Sequence, residues 1–282
     1  MGIVKYDIKE TIFDRTNSDQ YELSILLGMD SFTYVVKEQR TNNLVAFRSL
    51  SMADATLADW VAQFQRSVQD DELLRPNLIK KIYLSYITDR VTLVPSRLFS
   101  LGKETEYLSS LSEISLDDTC HSNSVNELGV KLIYALGEER LEATTRRFSP
   151  LSTNHVATGL LSHWGRQSIT FGHRAVYCSF RDQQMTIAGL NGGKLLFFNV
   201  FRFTTAADAL YFVNLTYQQC GWSMARIPLY LCGEIITESE VYRQLYRYTE
   251  DIRFLAFDGP AEIGPEFQAI PQHLYYDLLC QF

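Results

Sequence analysis

The order in which strand-like runs, turns and capped helices follow one another constrains this chain more than any single motif. Tyr21 to Leu27, Phe32 to Glu38 and Leu44 to Leu50 are three runs of strand length and strand composition. They are separated by the turn-forming stretches Gly28-Met29-Asp30 and Thr41-Asn42-Asn43. Ser51 followed by Asp54 has the spacing of a helix cap, and Leu57, Trp60, Val61, Phe64 and Val68 then recur at helical spacing. Ile79 to Ile87 reads as a strand again. The same order returns later. Ala175 to Arg181, Met185 to Leu190 and Lys194 to Phe203 are three strands, with Asn191-Gly192-Gly193 as one of the turns. Thr205 and Asp208 cap a helix that Gly221 stops, and Ile227 to Cys232 is a strand. Thr237 and Glu240 cap a further helix through Tyr248, and Ile252 to Phe257 is the last strand.

The intervening stretch is less periodic. Glu104 to Leu111 predicts a short helix, Asp117 to Asn126 a polar loop, Val130 to Leu136 a strand, and Ser152 to Gln167 a helix. Residues 1–20 read as a polar, poorly ordered or edge segment. The chain has 282 residues, 46% of them hydrophobic and 21% charged, so a core large enough for two units is available. The order β-β-β-α-β-α-β is that of a ribonuclease-H-like unit. Two in tandem predict an α/β protein with two mixed β-sheets flanked by helices, the plan of the actin-like ATPases. The expected lobes are residues 1–150, with an insertion around 90–150, and residues 151–282. Other α/β proteins also place a three-stranded meander beside a helix, so element order alone leaves them open.

The stretches LSILLGMDSFTYVVKEQRTNNLVAF and KLLFFNVFRFTTAADALYFVNLTYQQCG, the latter followed by IPLYLCGEI, resemble a bacterial family of uncharacterised proteins. That family is similar to the actin-like superfamily, and within it to PilM- and GspL-type proteins. The resemblance implies a fold and no settled activity.

An actin-like ATPase grips phosphate where glycine-rich hairpin turns bring backbone N–H groups close to it. Here the first turn reads Leu27-Gly28-Met29-Asp30-Ser31, with its glycine and aspartate in the reverse of the expected order. The second reads Phe180-Arg181-Asp182-Gln183-Gln184 and holds no glycine. The late turn, Cys232-Gly233-Glu234, offers one glycine where a pair is usual, beside a carboxylate expected to repel phosphate. The expectation is therefore a non-catalytic scaffold or assembly partner, without a cofactor and with a protein partner. The alternative is a weak or atypical ATPase or kinase that binds ATP and Mg between the lobes through Gly28, Asp30, Asp182 and Gly233.

Other chemistries find little support. Gly192-Gly193-Lys194 lacks the spacing of a P-loop. The five histidines have no metal-ligand spacing, and the five cysteines have no C-x-x-C pair, so each cysteine is expected to pack as a small hydrophobe in a reducing compartment. No G-x-S-x-G elbow and no mid-strand carboxylate of a nuclease is present. The net charge of -7, without a basic cluster, disfavours nucleic acid. No apolar stretch is long enough for membrane insertion, so a cytoplasmic protein is expected unless a partner places it elsewhere. Tyr242, Tyr246, Tyr248, Tyr275 and Tyr276 offer amphipathic aromatics either to the core or to a partner.

Overall fold

A computed structural model describes residues 3–13, 19–52, 56–74, 79–259 and 263–282. In chain order its elements are β1 (Ile3–Lys9), β2 (Tyr21–Leu27), β3 (Ser31–Glu38), β4 (Leu44–Ser51), α1 (Leu57–Gln69) and β5 (Lys81–Tyr86). There follow β6 (Val91–Pro95), α2 (Glu104–Ser109), β7 (Asp118–Val125), β8 (Val130–Gly137), α3 (Glu138–Phe148), β9 (Ser152–His155) and α4 (Val156–Phe171). The last third holds β10 (Arg174–Arg181), β11 (Gln184–Asn191), β12 (Lys194–Arg202), α5 (Ala206–Cys220), β13 (Leu229–Gly233), α6 (Glu240–Tyr246), β14 (Ile252–Phe254) and α7 (Tyr276–Leu279).

Two sheets share one topology. The first runs β1-β4-β3-β2-β5-β9 and the second β12-β11-β10-β13-β14. In each, an antiparallel meander supplies the first strands, and the later strands add parallel to the meander's opening strand. That central strand, β2 or β10, is buried along nearly its whole length, as expected where helices cover both faces. β1 is the only surplus, an edge strand paired with β4, which places part of the expected N-terminal edge segment. β6, β8 and β7 form a small sheet inserted between β5 and α3, with its own core around Leu108 and Ile133.

Several local expectations change. Thr56 caps α1, accepting from the Asp59 N–H, while Ser51 ends β4 and Asp54 lies outside the described residues. Ser239, not Thr237, caps α6. Asp118–Val125 is a strand and not a loop; its side chains are mostly half-buried, and β8 is its single partner. Ser152–His155 is a strand on β5, so the first sheet closes past residue 150, and α4 starts only at Val156. Thr205 and Asp208 form the expected capping box, and Gly221 ends α5 at φ +69.

The two sheets are joined by one continuous core. Into it pack α4 and the C-terminal segment, with Trp164 stacked on Tyr177 at 5.6 Å and Tyr275 and Tyr276 fully buried. Polar side chains tie that segment to the neighbouring strands β2 and β5 of the first sheet. Ser24 Oγ donates to the Leu278 carbonyl at 2.8 Å, and Ser85 Oγ donates to Gln281 Oε1 at 2.9 Å. α4 approaches so closely that a Cβ on Gly159 would lie 2.3 Å from the Cys280 carbonyl oxygen. Cys178, Cys232 and Cys280 are buried in these cores as free thiols, and Cys120 and Cys220 are half-buried.

Candidate functional site

The first turns of the two meanders meet. In the first, the Gly28 N–H donates to the Ser31 carbonyl at 3.0 Å, closing the turn around Met29 and Asp30. In the second, Arg181 pairs with Gln184, leaving a two-residue turn of Asp182 and Gln183. Asp182 and Gln183 adopt φ of +52° and +54°, the two positive values that a type I′ hairpin turn requires. Glycine would adopt these angles freely; here two side chains are carried instead.

One of those side chains fills the gap between the turns. Ser31 Oγ, fully buried, donates to Asp182 Oδ2 at 2.7 Å. A Cβ on Gly28 would lie 1.3 Å from the same oxygen, so the carboxylate occupies the space that the glycine leaves open. Burial raises the Asp182 pKa; the Ser31 hydrogen bond and Arg181 oppose this, Glu234 and Asp30 add to it, and the result is about 6.

Arg181 anchors the second turn from behind. Its Nε and Nη2 bind Asp277 at 2.6 and 2.9 Å, Nη2 also donates to the Leu274 carbonyl at 2.9 Å, and Nη1 reaches Glu234 at 3.2 Å. Burial alone would lower its pKa, but Asp277 and Glu234 outweigh that and raise it. The fork-on-fork geometry satisfies a charge pair removed from water. Glu234, expected to stand as a bare repelling charge, is paired with Arg181 and with Lys5 at 3.1 Å.

The four residues of the nucleotide alternative are thus only partly assembled. Gly28 and Asp182 touch, and Asp30 lies near enough to act electrostatically on Asp182. Gly233 serves its own sheet: at φ +82 it packs so tightly that a Cβ would lie 2.2 Å from the Phe180 carbonyl oxygen. The space beside Gly28 is filled by the Asp182 carboxylate. Among the described residues, no three His, Cys, Asp or Glu side chains could hold a metal ion together. Gly192 and Gly193 form a β-hairpin turn with φ +53° and +81°. His155 is a buried structural cap: its Nδ1 accepts from the Ala157 N–H, its Nε2 donates to the Thr88 carbonyl, and burial holds its pKa down at about 4.

Residues 9–252 match the family described as "Protein of unknown function (DUF3822)". The chain belongs to this family. No curated protein matches it. A Bacteroides thetaiotaomicron protein described as having an actin-like ATPase fold and unknown function superposes with a TM-score of 0.75 at 19% identity, covering 86% of this chain and 94% of that one. PilM, from a PilM–PilN type IV pilus biogenesis complex, superposes with a TM-score of 0.61 at 12% identity, covering 92% and 97%. The DUF3822 chain therefore has the duplicated ribonuclease-H-like, actin-like ATPase fold. No helix among its described residues is long and apolar enough to cross a membrane.

Sequence reasoning identified both turns but missed Ser31 and Arg181 as the residues that close and anchor them. Ser31 stood beside the marked Asp30, and Arg181 beside the marked Asp182; neither carries a local signal of its distant partner.

Proposed function

We propose that this DUF3822 protein is a non-catalytic member of the actin-like fold that works by binding a protein partner, as a scaffold or assembly component. The Ser31–Asp182 hydrogen bond carries the reading. Phosphate transfer on this fold requires main-chain N–H groups of both hairpins around the anion. Here the two hairpins hold each other, through a carboxylate that repels phosphate when ionised. A protein partner is in keeping with the fold relative PilM, which is found in complex with PilN. Tyr246 and Tyr248, about two-thirds exposed at 64% and 58%, suit a contact surface, whereas Tyr275 and Tyr276 belong to the core.

Titration calorimetry of the full chain with ATP and Mg tests the reading. It expects no heat of binding up to about 1 mM nucleotide. Micromolar binding overturns it and restores the nucleotide role of Gly28, Asp30, Asp182 and Gly233.

A further inference from the structure

The hairpins close upon each other but leave a cavity of about 370 Å³ on the first-sheet side. It lies beyond the carboxyl end of β5, where the Ile87 N–H still bonds the Leu27 carbonyl at the end of β2. In open α/β sheets this end of a parallel strand pair is where ligands bind. Trp60 of α1, Leu136 and Gly137 at the end of β8, and Arg140 of α3 line it, and Met29 and Leu57 stand at 38% and 40% exposure. Its volume falls in the range of small-molecule sites.

The charge of the lining contrasts with the chain. Three arginines, Arg90, Arg140 and Arg202, face one acid, Asp89, in a protein of net charge -7. Arg90 is paired with Asp118. Arg140 stacks its guanidinium 4.4 Å from the centre of the Trp60 ring. Arg202 is held in place by Asp89, which accepts from Nε at 2.5 Å and from Nη2 at 3.1 Å. That grip uses one edge of the guanidinium, Nη2 also donates to Met29 Sδ at 3.7 Å, and Nη1 makes no hydrogen bond among the described residues. A guanidinium fixed by one carboxylate, with Nη1 left to donate, suits a second anion.

We propose that this cavity binds a small organic anion, its carboxylate on Nη1 of Arg202 and its apolar body against Leu57, Leu136 and Met29. The site adjoins the first hairpin turn, sharing Met29 with it, and needs no nucleotide. Arg140, over the Trp60 ring, adds positive charge to the wall. The apolar rim distinguishes the ligand from an inorganic ion, because such an ion would leave Met29 and Leu57 in contact with water.

The test is titration calorimetry of the full chain with hexanoate, octanoate and 4-phenylbutyrate, each paired with its uncharged primary amide. At least one acid is expected to bind with a Kd below about 1 mM, and its amide about tenfold more weakly. Arg202→Gln should weaken the acid about tenfold and leave the amide unchanged. Gly137→Trp blocks the cavity without backbone strain: its φ is −65°, and nothing lies within 4 Å of the position of a Cβ. Unchanged thermal unfolding of that variant, with loss of acid binding, supports the site. If Gly137→Trp unfolds, the Arg202→Gln comparison decides. The proposal is overturned if none of the acids binds, if acid and amide bind equally, if Arg202→Gln leaves the acid's affinity intact, or if inorganic phosphate displaces the acid at equal concentration.

Discussion

The two hairpins that face each other have the same place in two copies of one topology, yet they are built in opposite ways. The first retains a glycine and adopts no positive φ in its turn. The second has no glycine and holds both central residues in the left-handed region. The glycine of one is filled by the side chain of the other, with Asp182 Oδ2 lying where a Gly28 Cβ would be. Asp182 thus takes part in both turns: it adopts the left-handed conformation in the second hairpin, and its carboxylate fills the space beside Gly28 in the first. The hairpins differ in anchorage as well. Arg181 ties the second to the C-terminal segment, while the described hydrogen bond from Met52 to the Asp30 turn is a main-chain one, at 2.7 Å.

That difference in anchorage predicts the largest effect. Arg181→Ala leaves Asp277, 1% exposed, as an unpaired buried carboxylate, and should cost about 3–5 kcal/mol in urea unfolding. Asp30→Ala, at the first hairpin, should change stability by less than about 0.5 kcal/mol. Equal losses would mean that the second turn owes nothing special to its arginine.

A smaller effect comes from the carboxylate between the turns. The folded Asp182 pKa is about 6 against an ordinary 3.8, so the folded protein holds this proton more tightly than the unfolded chain. For a raised carboxyl the contribution to stability is present below about pH 4 and is lost as pH rises through about 6. Relative to Asp182→Asn, the wild-type protein should therefore lose on the order of 2 kcal/mol between pH 4 and pH 7, measured by denaturant midpoints. A parallel pH profile of the two proteins would mean that Asp182 is solvated and the cleft open.

How much of this could be read in advance depended on range. Strand runs, turns and most caps are local, and the duplicated order followed from them. Asp118–Val125 was missed because an edge strand with half-buried side chains needs no hydrophobic alternation. Ser152–His155 was missed because four polar residues pair with β5 only once the sheet exists. At the site, the turn residues were visible and their partners were not. Ser31 and Asp182 are 151 positions apart, and Arg181 and Asp277 are 96 apart. Nothing in the local spacing of a serine or an arginine specifies which distant carboxylate it will meet; the meeting of two sheets decides it.

The smallest effect isolates the backbone. Gln183 is exposed, sits at φ +54°, and contributes its carbonyl to the Phe203 N–H at 2.9 Å, a bond that glycine keeps. Left-handed conformation costs a residue with a Cβ about 1–2 kcal/mol, and glycine's greater freedom in the unfolded chain returns part of that. Gln183→Gly should therefore gain about 0.5–1 kcal/mol, read as a shift in the unfolding midpoint at constant slope. Met29→Gly, in a turn that has no positive φ, brings the entropic penalty and loses the Met29 Sδ contact with Arg202, and should lose at least a similar amount. Opposite signs at the two hairpins would show that the second turn is held against its own backbone preference by the contacts of Arg181 and Asp182. Equal signs would remove the strain and leave the contrast resting on the side chains alone.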